Sequence, residues 1–481
     1  DHIWYTVYDQ GLYRLDKQTG KIDRYQSDIH DSQSLIDDQI LKIFRDRSGT
    51  IWIGTWGNGI SYFHPDVQFR HYQHRKNEVN SFRTKEIFSI CQAPNGQLWV
   101  GLYNGGLCRF DPYQNKYHHF LHDPSDKNSP ASNMIMAMAC SSDNDLWLGH
   151  RRKGLTRYEV GMNRFTQFRH DPKNGGSLSN DTVISLMIDH DGIPWIGTYI
   201  GLNSFDPEKK SFARFYPNRP NNRALSSITS ILPGSRDRLW IGSYGGLMIF
   251  DKKRGEFIIH SLNQSLGAPQ VLTLHHESET WLWIGTSHSG LIRLNKKDNS
   301  LTRFGTEDGL PVNEVNNILT EGPNNLWFTT TNGLVKFDRL NRQFTTYKKS
   351  DGIQGNEFIQ NTALKSRDGS FYFGGYNGLT AFKPSDIQPN RYAPPVIISS
   401  LVIYPRKREI RSGLSGDRAI RMKSDDKTLF ITFASLDFRN PKKNSYAYRI
   451  IPFQKEWIDL GPKHDLSVTN LDPGTYRLEI R

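Results

Sequence analysis

The chain has 481 residues, with 61 Lys and Arg against 49 Asp and Glu, 40 glycines and a formal charge of +12. That length exceeds one ordinary domain, and the glycine and aromatic content without long helical periodicity points to an all-β chain with many turns. No apolar run approaches the roughly 18 residues of a membrane helix, and the basic residues are scattered, which argues against a nucleic-acid partner.

Near the start, "GTWGNG" at 54–59 places a Trp among glycines directly after the strand-like "TIWI". A dinucleotide loop would need a helix after it, and "ISYFHPD" follows instead. The stretch makes sense once it is seen to recur. Aligned on the aromatic of W-x-G, nine copies are anchored at Trp4, Trp52, Trp99, Trp147, Trp195, Trp240, Trp283, Trp327 and, substituted, Tyr372, spaced 43 to 48 residues apart. A period in the forties built from short strands is the signature of a β-propeller blade.

Residues 180–216 show one unit in full. "DTVISLMI" reads as an innermost strand buried on both faces, "DHDG" as a hairpin turn, and "PWIGT", "GLNSFD" and "FARFY" as the second to fourth strands. The recurring Trp is expected to pack between neighbouring blades, since a residue present in every blade cannot mark one site. In an antiparallel meander the turn between strands two and three lies at the same end as the start of strand one. The W-x-G loops and the lead-in segments therefore share one face.

On that face the scaffold is uniform and the loop residues vary. Two positions past the W-x-G glycine come Trp56, Tyr103, Arg151 (followed by Arg152), Tyr199, Tyr244 and, by alignment, Tyr376, with His288 three past its own. The lead-ins add Asp37, Asp38, Arg83, Lys85, Asn133, Asn180, Asp181, Asn313, Glu314, Asn356 and Glu357. Aromatic faces beside Asn and Arg suit sugar rings and their hydroxyls, and a variable rim on a rigid fold is how such a scaffold binds. The candidate ligand-binding set is Trp56, Arg83, Tyr103, Arg151, Arg152, Asn180, Tyr199, Tyr244 and Tyr376; the bland alternative is that the aromatics only cover their turns. The net positive charge also accommodates an acidic ligand.

No catalytic, metal or cofactor site is expected. H-E-x-x-H, G-x-S-x-G and Walker patterns are absent from the sequence, and the carboxylates Asp38, Glu314 and Glu357 come from different blades, whereas glycoside hydrolysis needs a placed pair. The three cysteines, Cys91, Cys108 and Cys140, read as buried thiols rather than a disulfide framework.

After "GYNGLTAFKP" the Pro-bearing "SDIQPNRYAPP" reads as a connector, and "VIISSLVIY", "TLFITFASLDF", "YAYRII" and "GTYRLEI" have β-sandwich texture. The last of these runs into the chain end at Arg481, and the chain starts at Asp1, which reads as a piece of a longer protein.

The repeats "DGIPWIGTYIGLNSFDP" and "DGSFYFGGYNGLTAFKP" resemble the two-component regulator propeller family. "DGIQGNEFIQNTALKSRDGSFYFGG" resembles its last blade, and "LFITFASLDFRNP…YAYRI…EWIDLG…LDPGTYRLEIR" the triple-tyrosine (Y_Y_Y) sandwich that follows it. The resemblance implies the periplasmic sensor region of a bacterial transmembrane receptor, with a histidine kinase or diguanylate cyclase as output. It also implies an oligosaccharide or similar small polar ligand, no catalysis in this region, and attachment to the membrane only through a helix outside this chain. Alternation in "TLFITF" leaves apolar residues on both faces, so a homodimer formed partly through the sandwich is expected. The expected architecture is all-β: residues 1–82 as the last blades of an upstream propeller, 83–388 as a seven-bladed β-propeller, and 389–481 as a truncated immunoglobulin-like sandwich. A single ring closed from fewer repeats is the alternative partition. The rival functions are a propeller lyase or glycosidase acting on polysaccharide, and a pure protein-interaction propeller.

Overall fold

The computed structural model describes residues 2–481 apart from 30–33, 66–68, 77, 218–222, 388–393, 406, 411–418, 424, 439–440 and 470. The expected boundary at 388/389 and most of the Pro-bearing connector lie outside the described residues. Two compact units are formed, one from Gln68–Gln388 and one from Asp1–Val67 with Pro389–Arg481.

The first unit is a ring of seven four-stranded antiparallel sheets. Blades one to six occupy 87–120, 135–168, 183–215, 228–259, 271–304 and 317–347, each a meander in chain order. Blade three shows the pattern: Val183–Ile188, Pro194–Thr198, Gly201–Asp206 and Ser211–Phe215. Blade seven takes Phe358–Lys365, Phe371–Gly375 and Gly378–Phe382 from the chain's later part and its fourth strand, Arg70–Tyr72, from the beginning. Leu379 faces Tyr72 and Ala381 faces Arg70 across that pairing. The start of the ring therefore moves from the expected residue 83 to 68. The open edge of blade seven takes up Arg70–Tyr72, because an unpaired strand edge leaves a row of backbone donors and acceptors unsatisfied.

The ring's anchor aromatics are buried as expected, from 0% exposure at Trp283 and Trp327 to 9% at Trp240, whereas Trp4 and Trp52 of the other unit are half-buried. Trp99 packs with Tyr158 and Leu148 of blade two, and Trp195 with Phe250 and Ile241 of blade four, so each indole fills the seam to the next blade. The W-x-G glycine is explained by the same seam. A Cβ on Gly149 would lie 2.5 Å from Val183 Cγ1, and one on Gly197 2.7 Å from the Ile228 carbonyl oxygen. The glycine is where the neighbouring blade's first strand presses against the backbone.

Acids six residues before the Trp fix several of the indoles. Trp52, Trp195 and Trp327 donate their Nε1–H to Asp46, Asp189 and Glu321 at 2.9, 2.9 and 2.7 Å. Lys252, from the next blade, completes the arrangement in blade three, with Nζ 2.7 Å from Asp189 and 5.9 Å from the Trp195 ring centroid.

The cysteine reading is corrected. Cys91 and Cys140, on the first strands of blades one and two, form a disulfide with Cα atoms 6.1 Å apart, and Cys108 alone is a buried thiol. Spacing in sequence gave no hint, because the two positions meet only when adjacent blades stand side by side.

In the other unit, Val396–Tyr404 and Thr428–Ser435 pair with Arg408–Ile410 and Asp465–Thr469 in one sheet, while Tyr446–Ile451 lies between Gln454–Gly461 and Arg477–Ile480 in a second. Their shared core holds Leu401, Ile403, Ile431, Phe433, Tyr446, Ile450, Leu466 and Val468. Alternation in "TLFITF" thus sends Ile431 and Phe433 inward. Repeats one and two form three-stranded sheets, His2–Thr6 with Leu12–Asp16 and Ile22–Tyr25, and Ile40–Arg45 with Ile51–Thr55 and Ile60–Phe63. Ile60 is 64% exposed, whereas its equivalents Leu107, Leu155, Leu202, Leu247 and Leu291 in the ring are 0% exposed, each covered by the next blade.

Candidate functional site

The rim is built by direct bonds between loop and lead-in. The backbone N–H of Tyr103 donates to the Glu86 carbonyl and that of Tyr199 to Thr182, both at 3.2 Å; Trp56 does the same to Gln39 in its own unit. These bonds place the W-x-G loops and the lead-ins on one face, as the meander requires. Tyr199 and Tyr376 are exposed, at 44% and 49%, as are Arg83, Arg151 and Arg152. Tyr103 is half-buried, its ring stacked on Phe88 at 5.1 Å. Tyr244 is also half-buried; burial, and then the neighbouring Tyr199, push its phenol pKa up. Trp56, 68% exposed, belongs to the other unit.

The lead-in amides and carboxylates turn out to be structural staples. Asn133, Asp181, Asn313 and Asn356 each use the side chain to accept an N–H from the end of the preceding blade: His122, His170, Thr306 and Lys349, at 2.7, 2.8, 3.0 and 2.9 Å. Their carbonyls accept the N–H of the glycine that opens the third strand, at Gly106, Gly154, Gly290 and Gly333. Asp38 repeats the pattern with Ser27 and Gly11. Asn180 accepts the Thr182 N–H at 2.8 Å, forming an Asx turn, and Glu314 accepts from Asn316 at 3.1 Å. These groups fix the shape of the rim.

Two features of this face were not legible in the sequence. Phe88 stands at a register shift between Ile87 and Ser89, a β-bulge repeated in blades two to five. The bulge breaks strict alternation, so Phe88 reads as an ordinary strand residue until its partner Tyr103 is seen. The second is a bridge across the channel. Blade seven's first strand carries extra residues between Phe358 and Ala363. From it Gln360 donates to the Leu272 carbonyl, Asn361 to Thr229 and Thr362 to Phe88, at 2.6, 2.6 and 2.7 Å, reaching blades five, four and one. First strands expose their outer edge to the channel, so their carbonyls lack ladder partners, and the amide side chains supply them. Asn361 sits at φ +57°, a left-handed conformation that Asn tolerates better than most residues. Beyond the bridge a channel cavity of about 240 Å³ is lined by Ser185, Ser230, Thr273, His275, Asn317 and Asn361 among others. Burial, with the neighbouring His276 and Lys365, lowers the His275 pKa to about 4, so it stays neutral at physiological pH.

No group of three or more His, Cys, Asp or Glu placed to hold a metal occurs among the described residues, and none of their helices is long and apolar enough to cross a membrane.

The fold is a seven-bladed propeller ring with a second unit that contains a β-sandwich, and comparison with known proteins agrees. The family model for the two component regulator propeller matches residues 34–57 and 81–104, and that for the Y_Y_Y domain matches 437–481. These matches together cover less than half of the chain. It is 29% identical over 181 residues to histidine kinase P4 of Formosa agariphila, which covers 36% of this chain and 13% of that protein. A crystal structure described as the extracellular domain of the hybrid two component system BT3049 from B. thetaiotaomicron superimposes with a TM-score of 0.82 at 23% identity, over 100% of this chain and 64% of that one. A second, of BT4673 from the same organism, gives 0.55 at 22% identity, over 98% and 64%. The chain spans less than two thirds of the length of each of these relatives.

Proposed function

We propose that this chain is the ligand-sensing region of a bacterial transmembrane signalling receptor, positioned outside the cytoplasm. The rim of its ring binds an oligosaccharide or a similar small polar ligand, and the sandwich passes the signal toward a cytoplasmic kinase or cyclase. The observation that carries this reading is the rim itself: a hydrogen-bonded frame repeated from blade to blade, from which exposed Tyr199, Tyr376, Arg83, Arg151 and Arg152 project. The named relatives, a histidine kinase and extracellular domains of two-component systems, support it. So does the Cys91–Cys140 disulfide, a bond that persists in oxidising compartments.

Residues 1–67 are read as the closing blades of an upstream propeller, whose next blade would cover Ile60, and the receptor dimerises through its sandwich. The region performs no catalysis: Glu314 is engaged by Asn316, and the carboxylates of different blades supply no acid–base pair. The test is a thermal-shift screen of oligosaccharides on the full sensor region, since a ligand that binds only the folded state raises its melting temperature. A hit should be weakened by Tyr199→Ala or Tyr376→Ala without loss of melting temperature. Hits unaffected by any rim variant would sink the reading.

A further inference from the structure

The W-x-G loops of the ring carry Lys and Arg in one blade only. Blade one's lead-in carries Arg83 and Lys85, and blade two's W-x-G loop carries Arg151, Arg152 and Lys153, all exposed. Among the described residues none forms an ion pair with these five. The nearby Arg169 is different: it is neutralised by Asp181 at 2.7 Å. Across the ring, the corresponding loops of blades five to seven, residues 287–289, 331–332 and 376–377, contain no Lys or Arg; the lead-ins of blades six and seven carry Glu314 and Glu357, and blade seven's also carries Lys349 and Lys348, the latter bonded to Asn332.

The basic loop is also held rigidly. Arg152 adopts φ +60°, its N–H donates to Thr182 Oγ1 at 3.3 Å, and the Gly154 N–H donates to the Asp181 carbonyl at 2.8 Å. Blade three's lead-in therefore clamps the backbone while the guanidinium groups remain free. On the flanking blades stand Tyr103, braced by Phe88, and the exposed Tyr199. Unpaired cations between two aromatic faces match one chemistry: sugar rings that stack on tyrosine and bear anions that guanidinium groups grip through paired N–H donors. A preset backbone lowers the ordering cost of that grip.

We propose that the sector of blades one to three binds an anionic oligosaccharide, sulfated or uronate-bearing, with Arg151 and Arg152 on its anions and Tyr103 and Tyr199 against its rings. This rests on the reading of the rim as the ligand face. The test is calorimetric titration of the full sensor region with three tetrasaccharide probes: chondroitin sulfate, its desulfated uronate-bearing form, and neutral cellotetraose. At least one anionic probe should bind and the neutral one should not. The Arg151→Gln/Arg152→Gln variant should weaken binding by about tenfold or more, Tyr199→Ala by about tenfold, and added salt should weaken the wild type progressively. Which anionic probe binds tells sulfate from carboxylate recognition. Lys253→Gln/Arg254→Gln, in the turn between the third and fourth strands of blade four, is the control and should bind as wild type. Equal loss in the control, or equal displacement by duplex DNA, would mean unspecific polyanion attraction and overturn the proposal, as would failure of both anionic probes to bind. Cellotetraose binding that depends on Tyr199 but not on the arginines would overturn the anionic assignment and keep the rim as a ligand face. Binding that ignores every rim variant would defeat both readings.

Discussion

Removing the Cys91–Cys140 bond tests the ring at its first seam. The two cysteines are separated by 49 residues, and the loop they close runs through three strands of blade one and the first strand of blade two. In the chain-entropy treatment, closing a loop of that length removes enough freedom from the unfolded state to stabilise the fold by about 4 kcal/mol near room temperature. That figure is a ceiling, because a residually compact unfolded state has less freedom to lose. The Cys91→Ser/Cys140→Ser variant should therefore unfold at lower guanidinium concentration, by an amount equivalent to about 2–4 kcal/mol, with a slope that is no smaller than the wild type's because the unfolded chain is freed to expand. Thiol counting gives an independent check. The protein has 3 cysteines, so denaturation without reductant should expose one reactive thiol, Cys108, and reduction should raise the count to three. In the native protein none should react quickly, since burial pushes the Cys108 pKa up to about 12. Three thiols without reductant would refute the pairing, and a stability change below about 1 kcal/mol would refute the loop argument.

Two further outcomes concern the seam between blades three and four. Trp195→Ala should cost roughly 3–5 kcal/mol, the scale for a large core aromatic, and Trp195→Phe about 1–2, since it keeps much of the packing but loses the bond to Asp189; chemical denaturation that ranks them otherwise would undo the anchor reading. Asp189 is desolvated by burial, which alone would raise its pKa, but Lys252, the Trp195 indole and the Ile193 N–H hold it below the usual carboxylate value. Because the folded pKa is depressed, its contribution is present above about pH 4 and is lost as pH falls through the folded value. The stability gap between wild type and Asp189→Asn should thus be full at pH 7 and shrink below pH 4, measured by denaturant midpoint; a gap independent of pH down to 2 would contradict the ion pair.

Sequence alone determined the repeat. The W-x-G anchors recur because every seam poses the same packing problem: a large ring must fill the gap between blades, and a glycine must let the next first strand approach. Such local, repeated demands leave a period that can be read directly. The alternation of "TLFITF" was legible for the same reason, as each residue's face follows from its place in the strand. What only the tertiary structure decided are the contacts that join distant positions once: Arg70–Tyr72 completing blade seven, Cys91 meeting Cys140, Gln360 and Asn361 spanning the channel, and Tyr103 leaning on Phe88. The candidate site lies between these two cases. Its loop positions follow from the meander, but whether Asn133 staples a turn or faces a ligand depends on the hydrogen bonds available after the ring closes, and no local pattern records those bonds.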